Sequence, residues 1–87
     1  MTTSDDYVLD VLCKQLRELE GLELTPEQAA KTNLQSLGLD SLATLQLAIA
    51  LEDALDMEVE VMDLPQRLTI LEIARRLQSN RRSRIQS

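Results

Sequence analysis

From Leu42 to Leu55 the chain is dominated by apolar residues, and the four residues ahead of it, Gly38-Leu39-Asp40-Ser41, carry the signals that start a helix. Gly38 reaches backbone angles that other residues avoid, and Asp40 is a good N-cap, so a loop turns into a long helix here. The junction leaves one serine, Ser41, exposed at a helix N-terminus. The first N–H groups of a helix lack intrahelical partners and the dipole is positive there, so a phosphate esterified to the serine oxygen is favoured at this place.

Around this helix the rest of the chain also reads as helical. Val8, Leu12, Leu16 and Leu19 recur at helical spacing between about Ser4 and Glu20, and Gly21 is the stop. In the long connection that follows, Thr25-Pro26-Glu27-Gln28 has a capping Thr, Pro at the first helical position and Gln at the third, which predicts one helical turn. Thr69-Ile70-Leu71-Glu72 is a second capping box and opens the last helix, whose buried stripe is Ile70, Ile73, Ala74 and Leu77. On the second main helix, about Asp40 to Leu55, Leu47, Ala50, Leu51 and Leu55 face the core. Met57-Glu58-Val59-Glu60-Val61-Met62 alternates like a strand, but the sequence offers no partner strand. These elements describe an all-α fold with no repeat and no internal linker.

Composition excludes most chemistry. At 87 residues there is room for one domain with a modest core, and a substrate-enclosing enzyme would be cramped. The residues are 44% hydrophobic but only 1% aromatic, so the core is built from Leu, Ile, Val and Ala, and stacking platforms for single-stranded nucleic acid are missing. The chain has no His, so Ser41 has no base of the usual triad, and no Ser-Lys motif replaces it. No catalytic residue is assigned. Cys13, the single cysteine, excludes an intrachain disulfide and, between Leu12 and Leu16, reads as a small packing residue. The acids Asp56, Glu58, Glu60 and Asp63 lack the loop glycine and the final Glu of a calcium loop, so no metal is expected. The start, Met1-Thr2-Thr3-Ser4-Asp5-Asp6, is unlike a signal peptide, and the longest apolar run, Leu47 to Leu51, is far too short for a membrane span. A cytoplasmic monomer is the expectation.

The net charge of −6 is unevenly placed. Residues 1–66 hold fourteen Asp and Glu against Lys14, Arg17 and Lys31, whereas residues 67–87 hold six Arg against Glu72 alone. The acidic body repels nucleic acid and anionic membrane and favours protein partners with basic docking patches. Residues 81–87 are polar and basic without apolar periodicity, and read as a disordered tail following a domain of residues 1–80.

Leu34-Gln35-Ser36-Leu37-Gly38-Leu39-Asp40-Ser41-Leu42 resembles the attachment motif of acyl carrier proteins. The likeness continues through the helix to Leu51-Glu52-Asp53 and into Leu68-Thr69-Ile70, and so covers nearly the whole chain. It implies a small four-helix bundle with three main helices, a long first loop, and a short helix around Val61 to Gln66 in place of the strand. It also implies that a phosphopantetheinyl transferase moves 4'-phosphopantetheine from coenzyme A onto Ser41, releasing 3',5'-ADP. The thiol of the arm then carries acyl intermediates as thioesters between acyl-loading and acyl-processing enzymes: a ketosynthase, an acyltransferase or an acyl ligase. Gly38, Asp40 and Leu42 frame the attachment site.

Leu42, Leu45 and Ile49 form a second apolar line on the helix that begins beside Ser41. It reads either as core under the long loop or, with Glu52 and Asp53, as a docking face for partner enzymes. Against the fatty-acid pattern of the family, Ala43 and Gln46 stand where acids are usual, Leu55 stands where an aromatic often ends the helix, and Leu64-Pro65 is closer to polyketide-type carriers. These departures point to a specialised polyketide, hybrid or modified-lipid pathway. Two alternatives use the same residues: a peptidyl or aryl carrier loaded through Ser41, and an unmodified helical interaction domain.

Overall fold

The structure is a computed structural model that describes residues 4–86, with side chains from Tyr7 to Asn80. Met1-Thr2-Thr3 and Ser87, which belong to the leader and tail readings, lie outside the described residues. Four α-helices follow one another: α1 (Ser4–Glu20), α2 (Pro26–Ala29), α3 (Ser41–Leu55) and α4 (Ile70–Gln86), with a 3-10 helix at Val61–Asp63 between the last two. The expected bundle of three main helices, a long first loop and a short helix before the last is present.

Local chemistry accounts for the helix ends. Thr25 and Gln28 form a reciprocal capping box at α2, with Pro26 at its first position. Thr69 and Glu72 form another at α4, at 2.9 and 3.1 Å. Gly21 (φ 69°) stops α1, and Asp56 (φ 54°) ends α3 in the left-handed conformation. α4 meets no such stop. Residues 70–86 contain neither Gly nor Pro, and Arg is a good helix former, so the backbone remains helical to Gln86, through the boundary placed at residue 80.

α1 packs against both α3 and α4, and the 3-10 helix touches α3 and α4. Val8, Leu12 and Leu16 of α1 meet Leu47, Leu51 and Leu55 of α3 and Ile70, Ile73, Ala74 and Leu77 of α4 in one core, joined by Leu34, Leu39 and Leu64 from the connections. Each buried leucine contributes about 2 kcal/mol of transfer free energy, and no aromatic is needed.

Two side chains depart from the expected stripes. Leu19 is 42% exposed because the chain reverses at Gly21, and Leu22 folds back onto the core instead. On α3 the buried face is Thr44, Leu47, Ala48, Leu51 and Leu55, so Ala50 lies at its edge. The alternating segment forms no strand. Met57 and Val59 turn inward and Glu58 and Glu60 outward along a stretch that is bonded to Glu52 of α3 through the Met57 and Val59 N–H groups and ends in the 3-10 helix. Among the described residues no helix is long and apolar enough to cross a membrane, and no group of three metal-binding side chains occurs.

Candidate functional site

Ser41 is the first residue of α3 and is exposed. The chain reaches it through two successive caps. Residues 33–37 make a helical turn, opened by Asn33 Oδ1 accepting the Ser36 N–H at 2.7 Å. The turn closes with the Gly38 N–H donating to Gln35 O (3.1 Å) and the Leu39 N–H donating to Leu34 O (3.2 Å). This is the Schellman arrangement, with the glycine at its left-handed position and Leu34 and Leu39, at its two ends, in the core. A Cβ on Gly38 would meet nothing within 4 Å, so backbone angle (φ 79°), not space, requires glycine there.

One residue later Asp40 caps α3. Its Oδ1 accepts the Ala43 N–H at 2.8 Å, and its carbonyl accepts the Thr44 N–H (2.9 Å) and the Thr44 hydroxyl (2.8 Å). Thr44 is buried, and this back-bond to the carbonyl four residues earlier satisfies its hydroxyl. The N–H groups of Ser41 and Leu42 belong to the unpaired first turn, beside the Ser41 hydroxyl.

An open pocket of about 230 Å³ lies beside the serine, lined by Ser41, Thr44, Val61, Leu64, Pro65 and Gln66. The segment forming its far wall is stitched to the loop before Ser41. Gln66 Nε2 donates to Leu39 O at 2.6 Å, the Gln35 N–H donates to Gln66 O at 3.1 Å, and the Ile70 N–H donates to Thr32 O at 2.8 Å.

The second apolar line is not core. Leu42, Leu45 and Ile49 are 63%, 45% and 57% exposed, and across the pocket Val61 and Met62 are exposed too. Of the two acids expected to accompany the line, Asp53 is exposed, whereas Glu52 is half-buried and accepts the Val59 N–H at 3.2 Å, holding the loop after α3. Thr44, Val61, Met62 and Gln66 escaped the sequence reading. A threonine four residues after an N-cap is a local signal that could have found the first, but the others are brought to Ser41 only by the fold.

The model of the phosphopantetheine attachment site family matches residues 6–77. The chain belongs to this family. Its members carry covalently attached 4'-phosphopantetheine, are generally non-catalytic, and interact with a phosphopantetheinyl transferase and with pathway enzymes. No curated protein and no solved structure gives a significant match. The site suits such a carrier domain. A phosphoester needs an exposed hydroxyl and a positive pole, which Ser41 and the start of α3 provide, and the carboxylate nearest in sequence is already engaged as a cap.

Proposed function

We propose that Ser41 is the attachment residue and that the chain is an acyl carrier. The supporting observation is the exposed hydroxyl of the first α3 residue, presented by the Gly38 and Asp40 caps at the mouth of a pocket. Once bound, the group supplies a thiol that holds acyl intermediates as thioesters. The protein's own part is to present the serine oxygen, to orient the arm along the pocket, and to be recognised by enzymes that do the chemistry.

The docking face comprises Leu42, Leu45 and Ile49, with Asp53 at its far end and Glu52 supporting the adjoining loop. Ala43 and Gln46 leave the part nearest Ser41 uncharged, which favours partners that dock through apolar contact over those that depend on acids there. That preference, with Leu64-Pro65, supports a specialised polyketide or hybrid pathway over housekeeping fatty-acid synthesis. The lone cysteine agrees with a cytoplasmic setting.

Intact mass before and after incubation with coenzyme A and a broad-specificity phosphopantetheinyl transferase tests the reading, with Ser41→Ala alongside. Wild type should gain one phosphopantetheine and the variant none. Folded wild-type protein that gains nothing would favour an unmodified interaction domain.

A further inference from the structure

We infer that Gln66 is a positioning residue for Ser41, fixing the peptide that enters α3 and thereby the fraction of molecules that present the serine to the transferase. The inference rests on the carrier reading above and adds to it a residue 25 positions from the attachment site along the chain.

Leu39 lies between the two caps. Its N–H is bonded to Leu34 O, closing the Gly38 turn, and its side chain is in the core. Its carbonyl is held by Gln66 Nε2 at 2.6 Å. Gln66 makes this bond from an anchored base, since its own carbonyl accepts the Gln35 N–H at 3.1 Å. It is thus bonded to both the turn and the residue that closes the turn, and it also lines the pocket beside Ser41. Its side chain is exposed and adds little to the core, so its effect is local. Without the amide donor, the Leu39 carbonyl turns to water at small cost to the whole fold. The Gly38–Asp40 segment then samples orientations in which the Asp40 cap and the Ser41 hydroxyl are displaced. A partner that binds only the ordered arrangement sees its apparent affinity fall by that fraction, while turnover of the bound complex is unchanged.

The experiment compares wild type with Gln66→Met and Gln66→Glu, both similar in length and neither able to donate, one neutral and one charged. Initial rates of phosphopantetheine transfer are measured over a range of apo-protein concentrations, and amide hydrogen exchange is followed in the same proteins. Both variants should raise KM for the apo-protein, by up to roughly tenfold, the ceiling set by one net hydrogen bond, with kcat within about twofold. The Ala43 and Thr44 amides should exchange faster by a similar factor, while those of Ile73 and Leu77 in α4 keep nearly wild-type protection. A wild-type KM in Gln66→Met, an effect confined to Gln66→Glu, or an equal loss of protection at all four amides would overturn the inference. Wild type that is not modified would instead defeat the carrier reading, and the exchange rates at Ala43 and Thr44 would still decide whether Gln66 orders the turn.

Discussion

Ser41 and Cys13 each lie beside an open pocket of nearly equal size, and they differ in almost everything else. Ser41 opens onto about 230 Å³ at the end of α3, and Cys13 onto about 240 Å³ against the middle of α1. By intrinsic chemistry the thiol is the better nucleophile. Its surroundings remove that advantage. Cys13 is half-buried between charged neighbours, and burial first, then the Asp10 carboxylate, pushes its thiol above the ordinary value, so little thiolate forms near neutrality. Ser41 belongs to a chain without His, but it is exposed, stands at a positive helix pole, and is followed on α3 by the exposed Leu42, Leu45 and Ile49. A residue modified by another enzyme, as proposed for Ser41, needs presentation more than reactivity, and of the two only Ser41 is exposed.

The largest expected effect is at the serine. Ser41→Ala should abolish attachment completely, yet shift stability by about 0.5 kcal/mol or less, because the side chain is exposed and the cap is Asp40. A thermal melt beside the mass measurement checks both halves, and an unfolded variant would make the site structural. Gly38→Ala comes next. A non-glycine residue at φ 79° costs about 1–2 kcal/mol, partly offset by the smaller entropy of the unfolded chain, so a loss of about 1 kcal/mol, several degrees in Tm, is expected. Modification should slow with it, whereas a Gly38→Ala protein as stable as wild type would show that the turn does not need glycine.

The comparison can also be approached from the cysteine. In the modified protein, iodoacetamide should label the thiol of the arm several-fold faster than Cys13, resolved by peptide mapping. The Cys13 rate should go on rising with pH beyond the point where an ordinary cysteine levels off, since its thiol is shifted upward. Equal labelling at neutral pH would contradict the contrast. The smallest effect belongs to the end of α4. Removing residues 81–87 takes away three arginines beyond Leu77, where the core stripe ends, and modification rates should stay as in wild type. A changed rate would bring that segment into partner binding.

The helices were legible in the sequence where their signals are local. Thr25 with Gln28, Asp40 with Ala43, and Thr69 with Glu72 are bonds between residues three apart, so residue order alone contains both partners. The place of Ser41 at an exposed helix start was legible for the same reason: glycine, cap and serine are contiguous. The tertiary structure decided what depends on distant neighbours. Leu19 and Leu16 share a helical stripe, but only the reversal at Gly21 leaves one exposed and the other buried. Periodicity allowed Leu42, Leu45 and Ile49 to be core or surface, and the way α1 covers only one side of α3 chose surface. The alternation from Met57 to Glu60 matched side chains turned in and out, but Val61 and Met62 coil into the 3-10 helix, and a strand also requires a partner, which a local pattern cannot supply. The pocket and the Gln66 bond to Leu39 join residues 27 apart, a pairing that no helical or strand period specifies. Capping and periodicity are short-range and are written in the residue order, whereas exposure and the walls of a pocket arise only when separate elements pack, because they depend on residues far apart in the chain.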